Sequence, residues 1–474
     1  MSLTSSLSNA LSGLTATSRA AHLVSSNLAN AMNENYSRQE LELGGLQGGG
    51  VAVSSVNRFV DTALLADKRN AQSGLELSTE RARNANAIEA TIGSPDDPSS
   101  LSAHLNRFDA ALQYLESDPN SDVRLRDVLS SASALSQRLN SAESNIQSER
   151  VNADRQIALE VESLNSNLQQ IALLNEQIVN SNVNGRDANM LLDERQNLID
   201  QVSELVPVRE MPRERGAVSL VSANGMMLLE SSAVSFDFTR VNHIVPQMSV
   251  EGGQLSSLTI DGEDLDMSKD SGRLAGGRLQ ALFEVRDNLV PEAQERIDVF
   301  ALDLAERFHD LPNDLGAGIG APGLFTDNGA LAEAANQVGL AGRLEIHPGV
   351  DPDQGGELWR LRSGMDAASP AAAGYTSFVT DMISSLSALS PTHGSIFEHG
   401  ASLISAAAQA SSDSTLSQSF ASARYEQLNL MQLQHGVDTD SELQKLLSIE
   451  TNYAANAKVI QAVEEMLSAI MRIN

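Results

Sequence analysis

The histidines are the side chains of this chain best suited to proton transfer or metal binding, and one pair lies close in sequence. His393 and His399 flank Glu398. A zinc pair on a helix stands four apart with a third ligand at hand. Here the spacing is different and no third ligand is near, so a surface loop is expected. His22 is alone on a helix of small residues and reads as a packing or exposed side chain. No serine, histidine and carboxylate fall into the arrangement of a triad. The acidic run Asp261, Glu263, Asp264 and Asp266 lacks the loop glycine and closing glutamate of a calcium hand and predicts a solvated turn. Gly318-Ile-Gly-Ala-Pro-Gly323 matches a dinucleotide-binding string, whose chemistry needs a strand before it and a helix after it. Leu311-Pro312-Asn313-Asp314 precedes it and Pro322 interrupts it, so a loop is expected there as well. The chain has no cysteine, which excludes disulfides, thiolate metal sites and thiol nucleophiles. No catalytic residue, metal site or cofactor is therefore expected.

Composition points to assembly rather than chemistry. The formal net charge is −30. Nucleic-acid binding would need a basic stripe to displace counterions, and none is visible; an anionic membrane surface is disfavoured for the same reason. Such a charge keeps molecules apart until a specific contact forms. No segment approaches the roughly 20 apolar residues that span a bilayer. The first charged side chain is Arg19, and serine, threonine and asparagine interrupt the apolar residues before it, so the N-terminus does not read as a cleavable signal. Aromatic residues make up only 4%, as in long helices packed side by side.

The elements follow from periodicity. Leu3, Leu7, Ala10, Leu14, Thr17, Ala21, Val24 and Leu28 step by fours and threes, the spacing of a helix with one face on a partner. The last forty residues repeat the device with Leu446, Ile449, Tyr453, Asn456, Ile460, Val463, Leu467 and Ile470; the polar Asn456 inside the seam is of the kind that fixes register. Both ends are expected to lack a stable home in the free monomer and to fold on each other and on neighbouring copies; spacing leaves open an ordinary pair within one chain. Glycines 44, 45 and 48–50 predict a flexible stretch, followed by a short extended segment at Val51, Val53 and Val56. Residues 60–205 read as long helices broken at Ser94–Pro98, with the stripe Ile157, Val161, Leu164, Leu168, Ile171, Asn175 and Ile178. Ala217–Val221, Asn224-Gly225 and Met226–Leu229 predict a hairpin.

The length predicts two to four domains. The segments are 1–60, N-terminal helix and linker of an end domain; 61–206, long helices; 207–270, a β-rich insert; 271–310, a helical return; 311–375, a loop- and β-rich insert; 376–434, a helical return; and 435–474, the C-terminal helix of the end domain. The expected fold is mainly α and multidomain with small β inserts. Its N- and C-terminal helices pair as a coiled-coil-like end domain, with a long-helix bundle in the middle and β-rich modules outside.

Ser26-Asn27-Leu28-Ala29-Asn30, continuing to Tyr36-Ser37-Arg38-Gln39, resembles the signature of the flagellar axial family of rod, hook and junction proteins. Asn27, Ala29, Asn30, Tyr36, Arg38 and Gln39 are its matching residues; Asn33-Glu34-Asn35 stands where the family has Thr-Pro-Gly, which relaxes the turn. Gly50, Val51, Val53, Val56, Arg58 and Asp61 look like the family's continuation. Gly436-Val437-Asp438 and Tyr453-Ala-Ala-Asn456-Ala457-Lys-Val-Ile460-Gln461 resemble its C-terminal motif. Leu174-Asn175-Glu176-Gln177-Ile178, Asn189 to Gln196, and Gly276-Gly277-Arg278-Leu279 with Arg286-Asp287 are similar to the junction members in particular; the stretch Phe308-His309-Asp310-Leu311 departs from them.

The resemblance implies a structural, non-enzymatic subunit of the bacterial flagellum between hook and filament, with another axial subunit, of hook or distal rod, as the alternative. It implies a ring of copies, contacts to the hook protein and a second junction protein, a dedicated export chaperone, and passage through the flagellar export apparatus to the cell exterior without a cleaved signal. Subunit contacts would be made by Leu3, Leu7, Leu14, Val24 and Leu28 at one end and by the seam Leu446 to Ile470 at the other.

Overall fold

A computed structural model describes residues 3–33, 36–47, 49–94, 96–267, 269–316, 318 and 320–473. The expected turn at Glu34 and Asn35, and Gly48 and Ile319 of the glycine-rich strings, lie outside the described residues. The protein is mainly helical, with long helices and small antiparallel sheets. Its chain divides into two compact units: Met1–Leu75, Ser163–Ser235 and Phe420–Asn474 form the first; Glu76–Glu162 and Phe236–Ser419 form the second.

In the first unit, helix α1 (Leu3–Ala29) packs along α12 (Thr439–Ile473). Strands β1 (Gln39–Gly45) and β2 (Val51–Arg58) form an antiparallel ribbon with a bulge at Glu42/Leu43, and the ribbon also meets α1. The glycines at its turn do more than loosen the chain. Gly49 and Gly50 have φ of 98° and 95°, and a Cβ on either would come within 2.7 Å of Asn9 or Ser12 on α1. The Val51 N–H donates to Ser12 Oγ at 3.2 Å. A conformation open to glycine and a close approach to a helix thus coincide, where a merely flexible stretch was expected. Behind the ribbon come the start of α2 (Thr62–Ile92), the end of α4 (Asp122–Val183), α5 (Asn189–Leu205) and the sheet β3 (Val208–Pro212), β4 (Val218–Ser222) and β5 (Met227–Leu229). Asn224-Gly225 makes the β4–β5 turn, with Gly225 at φ 90°.

The second unit holds the large apolar core. Helix α3 (Leu101–Ser117) is capped by Ser100, whose hydroxyl accepts from the Ala103 N–H at 3.2 Å. It buries Leu101, Leu105, Phe108, Leu112 and Leu115, a single face by spacing. The rings of Phe108, Phe308 and Phe325 meet at centroid distances of 5.3 to 5.6 Å. Around them lie the first half of α4, α6 (Gly277–Glu284) and α7 (Val290–Glu306) joined by a π turn, α10 (Ser377–Ser387) and the first half of α11 (Ile396–Gln434). Short elements complete the unit: strands β6 (Phe236–Asp237), β7 (Leu258–Ile260) and β8 (Glu263–Leu265), β9 (Phe325–Asp327) and β10 (Leu344–Ile346), and one-turn helices α8 (Leu340–Arg343) and α9 (Arg360–Ser363).

The stripe Ile157, Val161, Leu164, Leu168, Ile171, Asn175 and Ile178 is buried throughout. The break at Ser94–Pro98 separates α2 from α3, and two more breaks follow, after Ser117 and after Val183, where Pro119 and Gly185 stand. Asp261 and Gly262, at φ 51° and 82°, form an exposed turn between β7 and β8. The glycine string ends at β9 rather than at a helix.

The expectation for His399 is corrected. It is a buried residue in the first turn of α11, not a loop residue: its Nδ1 stands 2.8 Å from Asp303 Oδ2, and its ring packs on Phe300 and stacks on His393 at 4.2 Å. Its apolar neighbours Ile396 and Leu403 already had helical spacing; the two histidines, read as a pair, concealed it. His393 is in the turn before the helix, half-buried, and His22 is exposed on α1.

Candidate assembly interface: the terminal helix pair and its polar locks

Helix α1 meets α12 through small side chains. Ala10, Gly13, Ala16, Val24 and Asn27 are its buried positions, and a Cβ on Gly13 would stand 2.7 Å from Asn456 Nδ2. Asn456 is thus seated against a glycine that makes room for it. The expected contact residues Leu3, Leu7, Leu14 and Leu28 are half-buried at the flanks of this stripe, and Val24 is buried within it. On α12, Leu446, Ile449, Asn456 and Ile460 are half-buried and Val463 is buried. Tyr453, Leu467 and Ile470 are exposed, at 50%, 40% and 53%. Each seam therefore has a partner inside the chain, the expected packing of the two ends on each other; the outer side of α12 is uncovered, with Leu443, Leu447, Val459 and Met466 also exposed.

The signature residues around α1 form a polar lock. Asn27 is 1% exposed. Its Nδ2 donates to the Gln39 carbonyl at 3.0 Å and to Glu442 Oε2 at 3.1 Å. Its Oδ1 accepts from the Tyr36 hydroxyl at 2.8 Å and the Gln39 N–H at 3.1 Å. Glu442, also 1% exposed, has its other oxygen on Lys445 at 2.6 Å. Burial, with Asp193 and Glu442 adding to it against a hydrogen bond with Ser26, pushes the Tyr36 hydroxyl above its ordinary pKa. Asp438 of the C-terminal motif caps α12 by accepting from the Asp440 and Ser441 N–H groups. Asn30 follows the C-terminus of α1 and caps it, its Nδ2 donating to the Ser26 carbonyl at 2.9 Å; Ala29 is exposed. Arg38 pairs with Glu40 at 2.8 Å and lies over the Phe59 ring.

A second lock ties ribbon to helices. Arg58 reaches Asp193 at 2.6 Å, and Ser37 and Gln196 at 2.9 Å. Burial raises the Asp193 carboxyl above its usual range, and Arg58 offsets part of this. Asn189 Nδ2 holds the Val56 carbonyl at 3.1 Å. Asn175 donates to the Val218 carbonyl and accepts from Arg195, which also donates to the Gly216 carbonyl. In the second unit, Arg278 bridges Glu76 and Glu160, and Arg286, fully buried, pairs with Asp154 and Asp287 between the Phe238 and Phe283 rings. The motif residues thus hold elements together, and nothing in their arrangement points to a reaction.

Glu442 was not singled out by sequence reading. Thr439-Asp-Ser-Glu442 has the pattern of a capping box, which would have flagged the helix start, whereas the buried carboxylate is spent on Asn27 and Lys445. Among the described residues no group of histidines and carboxylates could hold a metal ion, and no helix is long and apolar enough to cross a membrane.

Two family models match this chain: the flagellar hook-associated protein FlgK helical domain over residues 85–320, and the flagellar basal body rod FlgEFG protein C-terminal region over 432–473. Flagellar hook-associated protein 1 of Salmonella typhimurium is 29% identical over 304 residues, which are 58% of this chain and 55% of that protein. The Bacillus subtilis protein of the same name is 23% identical over 98% of this chain and 97% of its own length. The chain thus spans about half the length of the Salmonella relative and nearly all of the Bacillus one. A solved structure, the flagellar hook junction protein FlgK from Burkholderia pseudomallei, aligns with 20% identity and a TM-score of 0.45 over 55% of this chain and 46% of that chain.

Proposed function

We propose that this chain, which belongs to the hook-associated protein 1 family of flagellar proteins, is a structural subunit of the junction between hook and filament. The observation that carries the reading is the terminal pair: two end helices joined by a saturated polar lock, with an apolar side of α12 left open. Neighbouring copies would cover Tyr453, Leu467 and Ile470, so that a ring forms by burying surface that one chain leaves exposed. The hook protein and a second junction protein would meet the two faces of that ring. Before assembly the same open side needs a guard, which favours an export chaperone holding α12 and passage through the flagellar export apparatus without a cleaved signal. No catalytic role is proposed: the buried His399 is committed to Asp303 and its stacked neighbour.

Electron microscopy of a strain lacking this chain tests the reading. Hooks without attached filaments are expected; absence of hooks would transfer the protein to the hook or distal rod. Replacing His393 and His399 singly by glutamine should leave assembled flagella that still rotate, and loss of motility with normal filaments would reopen a chemical role.

A further inference from the structure

We propose that His347 is the catch of an acid-released latch: it holds the loop between β10 and α9 closed while its ring is neutral and frees the loop when the ring takes a second proton. Two 3-10 turns, Pro348–Val350 and Pro352–Gln354, build this loop. Proline opens each of them, at a position where no N–H is needed. The Glu357 N–H returns to the Gly349 carbonyl at 2.9 Å and the Gly356 N–H to the Asp351 carbonyl at 2.7 Å, so the loop is a closed strap. Beneath it Val350 and Leu361 are 0% exposed and belong to the core of the second unit.

His347 stands at the head of the strap and is buried. Its Nδ1 accepts from the Gly349 N–H at 3.0 Å, so it caps the first turn in the place an asparagine or aspartate commonly takes. A ring nitrogen that accepts carries no proton; the imidazole is therefore neutral, with its hydrogen on Nε2. A proton added at Nδ1 would set two donors against each other, and the cap would be lost.

The charges facing the ring do not offset that loss. Arg360 of α9 reaches the same glycine: a Cβ on Gly349 would stand 2.8 Å from Arg360 Nη1 and 2.9 Å from His347 Nδ1. The guanidinium is fixed there by donating to the Met365 carbonyl at 3.1 Å. Asp366 comes only to 3.8 Å from Nε2, beyond hydrogen-bond reach, and its side chain is 45% exposed to screening water. Asp314 is committed to the Gly316 and Met365 N–H groups at 2.8 and 3.2 Å. Burial, helped by Arg360 and opposed by Asp366 and Asp314, holds the ring below the ordinary histidine range. Such a histidine contributes stability that is complete above its unfolded value, about 6.5, and is lost as the pH falls through the lower folded one. The strap is closed at neutral pH and loosens in acid.

The test is amide hydrogen exchange of the full chain at about pH 7.5 and about pH 5.5, both above the ordinary carboxyl range, with protection corrected for the intrinsic rate at each pH. The Gly349 and Glu357 amides should lose about tenfold in protection at the lower pH, the effect of one lost hydrogen bond, while the α3 amides keep theirs. His347→Asn retains an acceptor at the cap but cannot titrate, and should show the same protection at both values. Asp366→Asn removes the attraction for the proton and should move the step to lower pH. Circular dichroism checks that each variant is folded; if His347→Asn does not fold, Asp366→Asn, at an exposed position, decides. Protection independent of pH in the parent, an undiminished step in His347→Asn, or a step that stays in place or rises in Asp366→Asn would overturn the proposal.

Discussion

On α3 in the second unit, Leu101, Leu105, Phe108, Leu112 and Leu115 are all buried to 4% exposure or less. On α12 in the first unit an equally regular stripe ends with Val463 alone fully buried, and with Tyr453, Leu467 and Ile470 in the open. Spacing is the same device in both; what differs is the facing surface. α3 looks onto leucines and phenylalanines from several helices. α12 looks onto Ala10, Gly13 and Ala16 of a single serine-rich helix, which cannot cover large side chains. The first is held by burial of area, the second by a few specific hydrogen bonds, and a helix of the second kind keeps apolar surface to spend elsewhere.

Four single substitutions and one compensating change can break or sharpen this contrast. Phe108→Ala removes a ring shared with Phe308 and Phe325 and should cost about 3–5 kcal/mol, read as a lower urea midpoint for the second unit. Asn27→Ala leaves Glu442 and Tyr36 short of partners and should cost about 1–3 kcal/mol. Hydrogen exchange should show it as lost protection in α12 with the α3 amides unchanged; equal loss in both would dissolve the distinction between the units. Gly13→Ala should cost about 1–3 kcal/mol through contact with Asn456, and Asn456→Gly should restore most of it. Leu467→Ser should change stability by no more than about 0.5 kcal/mol, as an exposed position does, while reducing ring assembly.

A pH titration separates the two kinds of packing further. Burial pushes the Asp303 carboxyl upward, but hydrogen bonds from His399 and Arg307 outweigh it and hold the group below its ordinary range. A carboxyl whose folded pKa is depressed contributes stability that is complete above its unfolded value, about 4. That contribution is lost as the pH falls through the lower folded value. Asp303→Asn should therefore be about 1–3 kcal/mol less stable than the parent at pH 7, with the gap closing below about pH 4. A gap independent of pH would show that packing alone is at stake.

The long helices, the β4–β5 hairpin and the buried stripe on α4 were legible because each rests on local periodicity or one turn dipeptide. Two things were not. β1 carries only a four-residue alternation, Glu40 and Glu42 with Leu41 and Leu43, too short to stand out beside the glycines that follow it, and the ribbon's support is α1. The hubs were named only as matching letters: nothing local in Asn27 tells that its carboxamide meets Glu442, 415 positions away. Spacing likewise located the terminal seams but centred α1 on its leucines, whereas the close contact runs along the smaller residues beside them. The helical run at His399 carries its signal in Ile396 and Leu403 rather than in the histidines.

The Asn27 side chain has no spare valence. Glutamine would carry the same group one carbon too far, and aspartate would exchange its donors for charge beside Glu442. Because three of its four bonds go to Tyr36 and Gln39 and the fourth to Glu442, the corner between α1 and β1 and the entry to α12 are set by a single rivet. The start of α12 and the corner between α1 and β1 thereby share one anchor, so neither can shift without the other losing a hydrogen bond.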